Sequence, residues 1–288
     1  MDTTQSEFAP TITPLDAALG AEVTNCDLSH PHALSEASIA WVGNRLAEYA
    51  VLVFRDQALT AAQMDRFSRC FGVPQQHVLQ KYRHPEIPEI SYVTNVEADG
   101  SVDHFGVRRA TMWHTDATYE PKLPRLAMLY ALQVPTAGGG TYFADMRAAW
   151  DALDEPRRAQ LQPLTGLHRF NVGPAGGAAI YAGQRGAEAD AFEDQRHPAI
   201  LKHPHSGRSI LFTNPAHTYG FETMGRDDGW ALVESLAEHA TQAQFTYLHT
   251  WRPSDLVMWD ELATIHRGAG DANPEEPRVL MRSIVYPA

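Results

Sequence analysis

Apolar residues recur in two rhythms along this chain. Short apolar runs or alternations of period two predict strands at 12–23 (two, around a turn), 51–54, 90–94, 126–134, 209–213, 245–251, 256–259 and 278–286. A rhythm of three to four residues predicts helices. After Ser35 it places Ile39, Val42, Leu46 and Tyr49 on one face. Thr60-Ala61-Ala62-Gln63 is a capping box, in which Thr60 and Gln63 satisfy each other's backbone donors. The helix it opens carries Met64, Phe67 and Phe71 on one side and stops at Gly72 before Pro74. Further helical segments are expected at 146–153, at 154–161 behind Asp154 and Pro156, and at 230–241. Residues 95–109 are polar and read as a loop, and Gly138-Gly139-Gly140 reads as a turn into a strand. Many short strands with few helices and no regular βαβ alternation imply a β-rich sandwich or barrel with flanking helices. Between about 166 and 197 the composition shifts to Gly, Ala and acidic residues. Strand-like sequence resumes afterwards, so this segment is expected to be a lid within one domain covering 1–288 rather than a linker.

Composition narrows the function classes. The chain has 288 residues, 44% hydrophobic and 20% charged, which excludes wholesale disorder. Its formal net charge of -12 argues against nucleic acid or an anionic membrane surface as partner. No apolar run approaches the ~20 residues that span a bilayer, and the first ten residues lack a basic-then-apolar leader pattern. Two cysteines, Cys26 and Cys70, form no metal or disulfide pattern; Cys70 is expected in the core. A reducing, cytoplasmic setting is expected. There are 14 histidines, enough for metal ligands, though the count assigns none.

Three short motifs do assign some. In His114-Thr115-Asp116 an extended backbone would aim the first and third side chains at one point, so an imidazole and a carboxylate could share an ion. His266 follows the apolar run 256–259 and could supply a second imidazole. Two histidines and one carboxylate form the facial triad of non-haem Fe(II) oxygenases, which leaves positions open for substrate and O2. The helical His-Glu-x-x-His of zinc hydrolases is absent. Arg278 and Arg282 are four apart in a strand-like run and share a face, and guanidinium groups suit bidentate carboxylate binding.

Several strings occur together and in order: Trp113–Tyr119, Pro135–Trp150, His203-Pro204-His205-Ser206-Gly207-Arg208, Trp259-Asp260 with His266-Arg267-Gly268, and Arg278 with Arg282. With Leu19-Gly20-Ala21-Glu22-Val23 and Val51–Gln57 they cover nearly the whole chain. This set resembles the taurine / 2,4-dichlorophenoxyacetate dioxygenase family of Fe(II)- and 2-oxoglutarate-dependent enzymes. The resemblance implies a double-stranded β-helix (a cupin-like jelly roll). It implies His114, Asp116 and His266 as iron ligands, and Thr141 and Arg278 as the pair holding the distal carboxylate of 2-oxoglutarate. It implies Arg282 at the anionic head of the prime substrate, with His77 and Gln80 near it. Relatives that halogenate lack the carboxylate ligand, so Asp116 implies hydroxylation. The substrate implied is a small organic anion, with an aryloxyalkanoate favoured over a sulfonate, an amino-acid derivative or a natural product. A homo-oligomer is expected. The rival reading is a non-catalytic metal-binding jelly roll, or a zinc hydrolase on that fold. It accounts for the His-Asp-His set but leaves Thr141 and Arg278 unexplained. His203 and His205 are expected to be structural, and Tyr219 and Phe221 to pack in the core.

Overall fold

Local chemistry sets the element boundaries. In the computed structural model, which describes residues 8–108, 110–170 and 193–288, the Ser35 hydroxyl accepts from Ser38 N–H and opens a helix. That helix closes at Ala50, whose φ of 64° turns the chain directly into the next strand. The capping box at Thr60 and Gln63 forms in both directions. In chain order the first elements are β1 (Thr11–Pro14), β2 (Ala21–Thr24), α1 (Glu36–Tyr49), β3 (Val51–Phe54), α2 (Ala61–Arg69), β4 (Val73–Pro74), β5 (Ser91–Thr94), α3 (His104–Arg108), β6 (Leu126–Gln133), β7 (Thr141–Asp145) and α4 (Met146–Asp151). There follow α5 (Glu155–Leu161), β8 (Thr165–His168), β9 (Gln195–Pro198), β10 (Ile200–Lys202), β11 (Ser209–Leu211), β12 (Thr218–Phe221), α6 (Arg226–Ala240), β13 (Thr246–His249), β14 (Leu256–Asp260), β15 (Thr264–Gly268) and β16 (Val279–Tyr286).

The large sheet has the order β1-β2-β3-β14-β6-β16-β4, with β5 also on β16. A smaller sheet, β13-β7-β15, carries the opposite wall. The pleat sorts each long strand into two faces. Val51, Val53, Ala127, Leu129, Val257, Trp259, Leu280 and Ile284 face inward and meet Phe143 of β7 in one cluster. Leu52, Phe54, Met128, Tyr130, Leu256, Met258, Met281 and Val285 face outward onto Val42, Leu46, Met64 and Phe67 of α1 and α2. Both faces are covered, which explains why these strands read as unbroken apolar runs. A third cluster packs α4 and α6 against the outer side of β7 and β15. The result is the expected jelly roll flanked by helices, its interior opening between the two sheets.

Four expectations are corrected. The 95–109 loop contains α3, started where Asp103 accepts the Phe105 N–H. Cys70 is exposed rather than core. Met64, Phe67 and Ser68 take the buried side of α2, and Cys70 falls at its C-terminal end beyond Arg66 and Arg69. The ends of the supposed lid are strands, since β8 pairs with β9 from Thr165↔Pro198 to His168↔Gln195; residues 171–192 lie outside the described residues. No strand was expected between 259 and 278, yet His266 sits in the middle of β15.

Candidate active site

The two histidine-bearing segments are joined through their backbones. His266 pairs with Phe143 across β15 and β7, so its neighbour Ile265 faces the outer cluster and His266 faces inward. On its other side β15 makes a single bridge to His114: His114 N–H donates to His266 O at 3.0 Å, and His266 N–H to His114 O at 2.7 Å. Thr115 turns the other way and donates its hydroxyl to Thr264 O at 3.1 Å. The extended stretch ends at once, in a turn with Ala117 at φ 55°. Asp116 N–H donates to Glu261 Oε2 at 3.1 Å, and the other oxygen of Glu261 accepts Trp259 Nε1–H at 2.8 Å. A buried carboxyl thus ties the β14–β15 turn to the His114–Asp116 segment, a link that no spacing in the sequence advertises.

The side chains of His114, Asp116 and His266 offer ligand atoms all within 4.8 Å of one another. His114 Nε2 lies 3.7 Å from Asp116 Oδ1, and the two imidazole centroids are 4.2 Å apart. His114 Nδ1 is 2.8 Å from Met112 O, and a carbonyl only accepts, so Nδ1 holds the proton and Nε2 presents a lone pair inward. Asp116 Oδ2 and His266 Nδ1 are buried without a hydrogen-bond partner. Burial opposes the charge of Asp116, but Arg282 and the surrounding histidines outweigh it and hold its pKa at about 2. Burial and the neighbouring His114 hold His266 neutral. One anionic oxygen and two imidazole nitrogens converging with orphaned polar atoms fit a divalent transition metal.

Beside this centre is a cavity of about 110 Å³ that ends at Thr141 and Arg278. Arg278 donates Nε–H to Gly139 O at 2.8 Å, and its Nη2 is 3.5 Å from Thr141 Oγ1. Burial lowers its pKa to about 10, against the opposing pull of Asp271. Among the described residues no carboxylate lies within 4 Å of this guanidinium. A buried cation without an anion is unfavourable, and a ligand carboxylate would complete it. Gly139 and Gly140 of the triglycine run line the cavity. Gly138 and Gly139 have φ of 69° and 71°, and a Cβ would meet Asp271 O at 2.6 Å or Pro135 Cγ at 2.8 Å, respectively.

A second cavity, about 150 Å³, opens on the other side of His114, Asp116 and Arg282. Val78, Leu79, Phe105, Met112, Tyr119 and Phe170 give it an apolar body. Arg282 reaches it with Nη1 3.7 Å from Asp116 Oδ2 and Nε 3.4 Å from Ser91 Oγ. His77 lines this cavity and is held by Leu79 N–H at 3.1 Å on Nδ1. Gln80 does not line it. Gln80 begins a one-turn 3₁₀ segment whose buried side is taken by Tyr82, and its own side chain is exposed. Gln75 stands in the wall instead.

Two site residues gave no signal in the sequence. His217 lines the apolar cavity with its ring 6.4 Å from that of His114, and burial with the nearby His114 lowers its pKa to about 3. It sits in a turn held by Asn214, in which His217 N–H donates to Asn214 Oδ1 at 2.9 Å. Trp251 donates Nε1–H to Thr141 Oγ1 at 3.0 Å. The remaining expectations hold their ordinary roles. His203 bridges the β10–β11 turn to Asp260 at 2.8 Å, and His205 contacts Asn44. Phe221 packs in the outer cluster and Tyr219 donates its hydroxyl to Asp194 at 2.7 Å; neither lines the two cavities.

Comparison with known proteins points the same way as this geometry. The family model "Taurine catabolism dioxygenase TauD, TfdA family" matches residues 11–284. The chain is 33% identical over 264 residues to the alpha-ketoglutarate-dependent 2,4-dichlorophenoxyacetate dioxygenase of Cupriavidus pinatubonensis, covering 88% of this chain and 90% of that one. It is 32% identical over 283 residues to pentalenolactone F synthase of Streptomyces arenae, covering 94% and 92%. A crystal structure of AAD-2 in complex with Mn(II) and N-oxalylglycine superposes with a TM-score of 0.84 at 29% identity, over 98% of each chain. The chain belongs to the TauD, TfdA family. It is a non-haem Fe(II)- and 2-oxoglutarate-dependent dioxygenase, and O2 is its other cosubstrate. The non-catalytic reading is set aside. Among the described residues no helix is long and apolar enough to cross a membrane.

Proposed function

We propose that this enzyme hydroxylates a C–H bond of a small organic anion with an apolar, aryloxyalkanoate-like body. One observation carries the reading: two cavities share a wall made of His114, Asp116 and Arg282. The first ends in an unpaired guanidinium and a hydroxyl, suited to the distal carboxylate of 2-oxoglutarate. The other has an apolar body with Arg282 in its wall, suited to a hydrophobic body bearing one anionic group. The 2,4-dichlorophenoxyacetate dioxygenase relative supports an aryloxy acid.

In this reading His114, Asp116 and His266 hold Fe(II) through two imidazole nitrogens and one carboxylate. When bound there, Fe(II) lets O2 and 2-oxoglutarate be converted to succinate and CO2, with one oxygen atom entering the substrate C–H as a hydroxyl. Met112 O keeps the His114 proton on Nδ1, so that Nε2 stays a ligand. Arg278 and Thr141 hold the far end of 2-oxoglutarate and fix its orientation. Arg282 binds the substrate's anionic group next to Asp116. The apolar wall excludes water from the reacting carbon. His77 contributes to the cavity's outer wall.

The test is succinate release, measured with Fe(II), 2-oxoglutarate and O2 over matched phenoxyacetate, phenoxypropionate, alkyl sulfate, alkanesulfonate and lactone substrates. Aryloxy acids should give the highest kcat/KM, and the Arg282→Ala variant should lose that preference. Turnover of the sulfonate or lactone in preference to every aryloxy acid would overturn the substrate assignment.

A further inference from the structure

The hydrogen-bond capacity of the Thr141 hydroxyl is almost fully used within the protein. Thr141 is buried at the start of β7, and its cross-strand partner in β13 is His249. Two residues past His249 the chain returns with Trp251, whose indole N–H donates to Thr141 Oγ1 at 3.0 Å. Arg278 Nη2 approaches the same oxygen from another side at 3.5 Å. A hydroxyl has two lone pairs and one proton. Trp251 and Arg278 are donors only, so both face lone pairs, and the proton is left for the remaining direction, the cavity.

The indole is itself held. Its ring meets the His249 ring edge-on, with centroids 4.5 Å apart. His249 Nδ1 is 2.9 Å from the Tyr247 hydroxyl, and His249 Nε2 is 3.2 Å from Asp255 Oδ2. Asp255 takes Arg55 Nη1–H at 2.6 Å and Arg252 N–H at 2.8 Å, and Arg55 also pairs with Glu22. Polar groups of β2 and of the residues after β3 and β13 therefore surround the His249 ring against which the indole packs.

We infer that Trp251 is a positioning residue for 2-oxoglutarate: its indole N–H fixes the Thr141 hydroxyl as a donor toward the cosubstrate carboxylate. This rests on the assignment of Thr141 and Arg278 made above. Without the indole N–H the hydroxyl is free to rotate, and part of the time it presents a lone pair to an anion.

The experiment is an equilibrium titration of Fe(II)-loaded enzyme with 2-oxoglutarate in the absence of O2, read by calorimetry. It uses wild type, Trp251→Phe, Thr141→Val and the double variant. Trp251→Phe should weaken 2-oxoglutarate about 3- to 10-fold, the weight of a neutral hydrogen bond. Thr141→Val should weaken it about 10- to 100-fold. The double variant should match Thr141→Val alone, because the indole acts only through the hydroxyl. Fe(II) affinity should stay at the wild-type value in all three. If Trp251→Phe does not fold, Trp251→Leu takes its place in the cycle. Wild-type affinity in the Trp251 variant with a clear loss in Thr141→Val would overturn the inference and leave the cradle assignment standing. Additive losses in the double variant would also overturn it, since they mean that Trp251 acts by packing. No loss in Thr141→Val would overturn the cradle assignment and the inference with it.

Discussion

The two cavities that meet at His114 and Asp116 are built in different ways. The 2-oxoglutarate cradle is made by strand ends and main chain. Thr141 opens β7, Arg278 immediately precedes β16, Gly139 supplies both a carbonyl and a wall, and Asn95 Oδ1 accepts the Arg278 N–H at 2.8 Å. The substrate chamber is mostly loop: Gln75, His77, Val78, Leu79, Ala110, Met112, the turn at Ala117 and Tyr119, Phe170, and the turn at Ala216 and His217. Among the described residues, Val93, Arg282 and Ile284 are the ones in its wall that come from strands. The anchor for 2-oxoglutarate sits at the ends of sheet strands, while recognition of the substrate sits on connections that tolerate change.

Substitutions that separate the two halves test this division. The largest effect should come from the shared wall. His114→Ala, Asp116→Ala or His266→Ala should abolish Fe(II) retention, and activity should fall by more than the ~100-fold typical of losing an outer-shell partner. Metal analysis after desalting, with succinate release beside it, measures both. Arg278→Ala should come next, raising the 2-oxoglutarate requirement roughly 100-fold while leaving Fe(II) affinity unchanged. Arg282→Ala should raise the KM of an anionic substrate about 10- to 100-fold and leave 2-oxoglutarate binding within a few-fold of wild type. If Arg278→Ala and Arg282→Ala both weakened both ligands equally, the two cavities would not be separate sites.

The smallest effect concerns the ion pair between Arg169 and Asp194. Arg169 grips Asp194 through Nε at 2.5 Å and Nη2 at 2.6 Å, next to Phe170 of the chamber. The hydrogen bonds from Arg169, with one from Tyr219, hold the Asp194 carboxyl below its ordinary range. A carboxyl with a depressed folded-state pKa stabilises the fold fully above its unfolded value of about 3.9, and that contribution fades as pH falls through the lower folded value. The pair is partly solvated, so screening limits it to less than about 1 kcal/mol. Arg169→Ala should therefore lower the midpoint of urea unfolding slightly at pH 7 and leave it unchanged at about pH 2. A difference that persists at the acid end would mean that packing on Tyr219, not charge, carries the effect.

Part of the site was legible in the sequence because its parts are local: His114 and Asp116 are two apart, and Arg278 and Arg282 share a strand face. The pairing of Thr141 with Arg278 came only with the family resemblance, because the two meet through space. The strands were legible for a related reason: both faces of β3, β6, β14 and β16 are buried, leaving plain apolar runs. What escaped depends on approach through space. Glu261 looked like an ordinary acid beside Asp260 until the β14–β15 turn brought it under the Asp116 amide. His217 and Trp251 carry no spacing relation to the residues they meet. Gln80 was expected near the substrate from the family resemblance alone, and one turn of 3₁₀ helix turns it outward.

The triglycine wall has a consequence for how this enzyme can diverge. On one side the cradle is bounded by the backbone of Gly139 and Gly140, where a side chain could be added only by displacing Pro135 or the strand beyond. The chamber is bounded by side chains, each of which one codon change can enlarge, shrink or recharge. Variation in such a lineage is therefore channelled: new substrates lie a few steps away, whereas the glycine side of the cradle changes only with the main chain itself.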